Sequence, residues 1–102
     1  LRHTDLSKAE LIRADLSNAD LTGAKMGRAN LSYADLFKAN LTNCRLTNAD
    51  LSHADLSQAN LANADLTRAD LSGAKLIGAK ITEEQLARTR SLAGAILPPL
   101  CS

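Results

Sequence analysis

The sequence predicts an all-β solenoid, a chain that winds around a narrow apolar tube. Three observations carry that prediction. A five-residue repeat runs without insertion over residues 4–83. Leu (19) and Ala (18) together supply 37 of the 102 residues, while Phe and Tyr occur once each and Trp is absent. A globule of this size ordinarily fills its core with rings and branched side chains. Finally, a period of five suits neither a helix nor a straight strand. Around a helix it advances about 500°, so the apolar residues would reach every face and form no stripe. Along a flat strand an odd period sends successive apolar pairs to opposite sides. The pattern works when the chain turns after each short extended piece, and stacked turns then pair through their backbones.

The repeat centres are Leu6, Leu11, Leu16, Leu21, Met26, Leu31, Leu36, Leu41, Leu46, Leu51, Leu56, Leu61, Leu66, Leu71, Leu76 and Ile81. Two residues before each centre lies a small residue, Ala at every repeat except Thr4 and Cys44. Between the two sits a polar residue, mostly Asp or Asn, and Ser or Thr commonly follows the centre. The unit reads Ala-(Asp/Asn)-Leu-(Ser/Thr)-X, as in Ala14-Asp15-Leu16-Ser17-Asn18.

This motif, recurring in phase sixteen times, resembles that of the pentapeptide-repeat proteins, in particular Leu-centred, cyanobacterial-type members. The resemblance implies a right-handed quadrilateral β-helix with four pentapeptides per coil. Residues 4–83 then make about four coils, a rod roughly 19 Å long at the strand spacing of about 4.8 Å. The centres fill the tube, and the Ala positions let its walls approach. Each buried Leu contributes roughly 2 kcal/mol of transfer free energy. Rings do not fit, and Tyr33 and Phe37 both fall at outward positions. Cys44 takes an Ala position, where a buried and inert thiol is expected. Ser and Thr hydroxyls are expected to bond local backbone at the turns, with Asp and Asn doing likewise.

Four repeats per coil place residues 20 apart side by side in successive coils. The polar position before the centre then forms four outward columns. One is Asp5, Lys25, Arg45, Asp65. The next is Glu10, Asn30, Asp50, Asp70. The third is Asp15, Asp35, Asp55, Lys75, and the last is Asp20, Asn40, Asn60, Lys80. Asp15, Asp35 and Asp55, with Glu10, Asp50 and Asp70 beside them, form a candidate interaction stripe. A solvated face is the blander reading, with Lys8, Arg13, Arg28, Lys38 and Arg68 compensating the carboxylates.

The sequence divides into a repeat region, 1–83, and a capping helix with tail, 84–102. Thr82-Glu83-Glu84-Gln85 reads as a capping box, with Thr82 as the cap and Gln85 reaching back. A short helix over about 83–90 should follow, with Arg88 and Arg90 at its C-terminal end. Leu86 and Leu92 are placed to fold over the last coil. Gly94-Ala95-Ile96-Leu97 suggests one more strand-like corner before Pro98-Pro99. Leu1 already stands at a centre, so the opposite end expects a cover: preceding residues, or a second copy in a dimer.

Twelve basic residues balance eleven acidic ones, a net charge of +1. That argues against a broad grip on nucleic acid or an anionic membrane. No apolar run reaches membrane-span length, and no signal peptide is evident. A cytoplasmic setting is the default, with periplasm or thylakoid lumen as alternatives if a targeting segment has been removed. No phosphate loop, metal-spaced Cys/His cluster or nucleophile–base set is present. His3 and His53 fall in different columns, and His53 lies one coil from Tyr33, where a surface stack is expected. Cys101, near the tail, could cross-link two copies under oxidising conditions. The reading is therefore a non-enzymatic structural or protein-interaction module without cofactor, metal or small-molecule substrate, whose partner protein is unknown. The resemblance supplies two alternatives. One is a regulator acting through protein contacts. The other is a DNA mimic that binds DNA gyrase and protects it, as some family members do. Those members are acidic dimers, often with Phe centres, and this chain departs in both charge and centre.

Overall fold

The computed structural model describes residues 1–98. The chain winds into a rod measuring 34 × 21 × 20 Å. Parallel bridges join residues 20 apart all along it, from Asp5–Lys25 to Asn60–Lys80. Each coil therefore contains four pentapeptides, and each pentapeptide ends in a tight turn. From Leu21 to Leu76, every centre and every small position between them is buried, with centres no more than 1% exposed. The two inward positions line a filled tube. Leu6, Leu11 and Leu16, in the first coil, pack against this core but stay partly exposed. Ile81 and Leu86 close the other end of the cluster.

The repeat centred on Leu51 shows why five residues suffice. Ala49 N–H donates to Leu46 C=O at 3.0 Å, closing the turn. Asp50 N–H reaches Ala29 C=O of the preceding coil at 2.9 Å. Leu51 N–H and His53 N–H reach Asp70 C=O and Ser72 C=O of the following coil, both at 2.8 Å. The remaining donor, Ser52 N–H, bonds Asp50 Oδ1 at 3.0 Å. All five backbone donors are thus satisfied although none lies in a long strand or helix.

The turn demands a left-handed residue two after each centre. Thirteen non-Gly residues have positive φ, and all of them occupy this position. A β-turn with positive φ only at its third residue is of type II. The position holds Asn, Gly, His, Lys, Arg, Gln and Tyr but no β-branched residue, since β-branching is most strained there.

The helix is shorter than its sequence suggested. α1 spans Glu83–Ala87 with Arg88 as C-cap, and contains no basic residue in its last turn. Arg90 lies beyond it and pairs with Asp70 at 3.1 Å instead. At the N-terminus of α1 Gln85 N–H donates to Thr82 Oγ1 at 3.1 Å, and Thr82 N–H donates to Gln85 Oε1 at 2.8 Å. Gln85 Nε2 also donates to Leu61 C=O at 2.7 Å and Ala64 C=O at 3.0 Å. One side chain therefore caps α1 and satisfies carbonyls of the last full coil. Pairing then resumes one residue out of step, with Asp70–Ser91 and Lys75–Ile96 bridges. Pro98 is buried; Pro99 and Cys101 lie outside the described residues. None of the helices described is long and apolar enough to cross a membrane.

Candidate functional site

With the tube filled, the chain's variable chemistry lies on its four outward faces. Asp15, Asp35 and Asp55 form one column, bridged Asp15–Asp35 and Asp35–Asp55. Asp50 and Asp70 bridge in the neighbouring column, which Glu10 begins. The stripe thus occupies two adjacent faces.

These carboxylates have local duties. In eleven repeats the Asp or Asn before the centre accepts from the N–H two residues on. This Asx turn satisfies the one donor that coil stacking leaves over. The Ser and Thr hydroxyls act differently from expectation. Those of Ser17, Thr22, Ser52, Thr67 and Ser72 donate to the same carboxylate oxygen, at 2.6–2.7 Å, rather than to backbone. The hydroxyl bond first, and the backbone N–H second, hold Asp15, Asp20, Asp65 and Asp70 below the usual carboxylate pKa. Hydrogen bonding to the charged form has that sign.

The expected compensation of these carboxylates is not what the structure contains. Among the described residues, Lys8, Arg13, Arg28, Lys38 and Arg68 form no ion pair; the pairs are Arg2–Asp20, Arg88–Glu84 and Arg90–Asp70. Arg13 instead lies over the Tyr33 ring, 4.7 Å from its centroid. His53 stacks on Tyr33 with centroids 4.8 Å apart and planes 14° apart. Arg13, Tyr33 and His53 form a ladder up one corner, and the His53 imidazole folds over Gly73, where a Cβ would collide with Nδ1. Lys38 similarly lies over Phe37.

The outside is not uniformly convex. A groove of about 700 Å³ opens between the last full coil and α1, lined by residues including Asn63, Asp65, Lys80, Glu84, Gln85 and Arg88. Its charges are of both signs. No cluster of three metal-ligating side chains occurs among the described residues. Cys44 is buried and donates to Leu21 C=O at 2.9 Å. Burial pushes its thiol up to about 11, which leaves it protonated and unreactive at neutral pH.

Sequence reasoning missed the left-handed position. The signal was available: its residue set lacks Val, Ile, Thr and Ala while holding Gly23, Gly73 and Gly78.

Comparison with known proteins agrees with this architecture. A pentapeptide repeat protein from the Arabidopsis thaliana thylakoid lumen superposes with a TM-score of 0.76 at 33% identity, covering 92% of this chain and 61% of that one. HetL, a pentapeptide repeat protein involved in heterocyst differentiation regulation in the cyanobacterium Nostoc, gives 0.56 at 39% identity, covering 93% of this chain and 37% of HetL. QnrB1, a plasmid-mediated fluoroquinolone resistance protein, shares the fold alone: TM-score 0.55, 16% identity, and coverage of 91% and 60%. The chain thus spans less than two thirds of each of these proteins. A search of curated protein sequences finds no match. The profile for pentapeptide repeats matches eight copies over residues 1–32 and 44–82, and the chain belongs to the pentapeptide-repeat family.

Proposed function

We propose that this chain is a non-enzymatic protein-interaction module, a right-handed four-sided rod over 1–83 followed by a capping segment that begins at residue 84. The observation that carries the reading is the division of labour within the repeat. Two positions in five fill the tube, and the Asp or Asn between them is committed to its own turn. Recognition then falls to the outward-facing atoms, held on a lattice fixed at about 4.8 Å along the axis. Such repetition suits recognition of another protein, as in other solenoids. The Asp15–Asp35–Asp55 column, with Glu10, Asp50 and Asp70 beside it, offers one acidic face for this purpose. Similarity to HetL supports a regulatory role exerted through such contacts. The gyrase alternative draws only on shared fold, and Lys25, Arg45, Lys75 and Lys80 interrupt the acidic columns it would need.

The test exploits the Asx turn. Asn serves in that turn at Asn30, Asn40 and Asn60, so D15N/D35N/D55N removes three charges while keeping the fold. The immobilised chain and this variant are exposed to native extract, with retained proteins identified by mass spectrometry and their affinity then measured. A saturable partner held by the chain and lost by a face variant supports the module. Retention indistinguishable from an unrelated solenoid would remove the reading.

A further inference from the structure

The net charge of +1 hides a segregation of charge around the rod. The face centred on Leu6, Met26, Leu46 and Leu66 carries Lys25 and Arg45 before the centre and Lys8, Arg28 and Arg68 two after it. All five are exposed, and none forms an ion pair among the described residues. Asp5 and Asp65 bracket this strip at its two ends, so five cations face two carboxylates. Between the two basic columns run small residues, among them Gly27 and Thr47.

A second observation points to a ligand at the same place. The N–H after each centre normally donates to the Asp or Asn before it. In the two middle repeats of this face that residue is Lys25 or Arg45, which cannot accept. The N–H groups of Gly27 and Thr47 have no acceptor among the hydrogen bonds of the described residues, and neither does the Thr47 hydroxyl; Ile12 and Ile77 leave the same donor free singly on other faces, and here two lie in successive coils. Lys25 and Arg45 are bridged neighbours in successive coils. The substitution that adds each cation therefore also frees a backbone donor beside it.

We infer that this face binds an extended acidic segment of a partner protein, its carboxylates meeting Lys25, Arg45 and Arg28 and the free N–H groups of Gly27 and Thr47. The length fits. Three coil steps span about 14 Å, the reach of four or five residues of extended chain. Charge-assisted bonds from backbone N–H and Arg to carboxylate are the stronger class. The acidic columns on neighbouring and opposite faces would repel a broad polyanion such as duplex DNA, whereas a single extended chain stays within the strip. This inference rests on the module reading above and names its partner chemistry.

The test uses a fluorescein-labelled hexaglutamate peptide, with binding to the full chain followed by anisotropy. K25N/R45N removes the two cations and supplies the acceptor that Gly27 and Thr47 lack, in a residue the fold accepts at this position. K75N/K80N makes the same change of charge at the same repeat position on other faces. Saturable binding that weakens between ionic strengths of about 0.02 and 0.15 M, falls at least about tenfold in K25N/R45N and is kept by K75N/K80N supports the inference. Equal loss in both variants, or no saturable binding, overturns it. So does tighter binding of a single-stranded oligonucleotide of equal charge, or full displacement by inorganic phosphate at matched ionic strength. A partner lost in D15N/D35N/D55N together with no hexaglutamate binding would overturn this inference and leave the module reading standing.

Discussion

Leu51→Ala tests how the tube is held. Leu51 is fully buried, with Leu31 and Leu71, also fully buried, in the coils on either side. The backbone around it is bonded in both axial directions, by Leu31 N–H to Asp50 C=O at 2.7 Å and Leu51 N–H to Asp70 C=O at 2.8 Å. The walls therefore cannot close on the space left by the side chain. Loss of three carbons removes about 2 kcal/mol of transfer free energy, and an unrelaxed cavity brings the cost to about 3–4 kcal/mol. Leu6, in the partly exposed first coil, has less burial to lose, and Leu6→Ala should cost about 1 kcal/mol. The assay is urea unfolding followed by far-ultraviolet circular dichroism. With a slope of about 1–1.5 kcal/mol/M for a chain of this size, the midpoint should fall by about 2–4 M for Leu51→Ala and by no more than about 1 M for Leu6→Ala. Equal midpoints for the two variants would refute the reasoning, because the cost would then not follow the burial of the site.

Asp50→Ala should destabilise by about 1–2 kcal/mol in the same assay, whereas Asp50→Asn should stay within about 0.5 kcal/mol, since only the first loses the acceptor for Ser52 N–H. Asn48, at φ 58°, should accept Gly with little change and lose about 1–2 kcal/mol as Val. Gln85→Ala removes the partner of Thr82 N–H and the donor to Leu61 and Ala64 carbonyls. It should cost about 2 kcal/mol and raise amide exchange over 82–90 before the central coils. Acidification should also unfold the chain. The folded-state pKa values of Asp15, Asp20, Asp65 and Asp70 lie below the ordinary value. Their stabilisation is therefore complete above about pH 4 and is lost as pH falls through the folded values. The thermal midpoint should be flat from neutrality down to about pH 5 and fall below pH 4.

The architecture was legible because one constraint recurs every five residues. Leu and Ala alternate with polar residues in a phase that only a chain turning at each repeat can bury. The ends and the surface were less legible, for physical reasons. Arg90 sits where a helix terminus would use it, yet α1 stops at Ala87 and Arg90 reaches Asp70, 20 residues away. Lys8 and Arg68 looked like counter-charges from their spacing, yet neither forms an ion pair among the described residues, and spacing alone does not reveal that their backbone is left-handed. The hydroxyls of Ser17, Thr22, Ser52, Thr67 and Ser72 follow an Asp by two residues, and they bond its carboxylate rather than backbone. The cations at Lys25 and Arg45 were visible as residues. Their consequence, two unpaired N–H groups on one face, emerged only when every donor in the repeat had been given its partner.

The central claim is that four pentapeptides make one coil, which sets every column and every face described above. Amide-to-amide and amide-to-Hα nuclear Overhauser contacts in solution test it most directly. The account predicts contacts between residues 19 or 20 apart, such as Leu31 with Asp50 and Leu51 with Asp70, repeated from Asp5 to Lys80. Contacts 15 or 25 residues apart would mean three or five sides to the coil, and would contradict the columns, the acidic stripe and the basic face together.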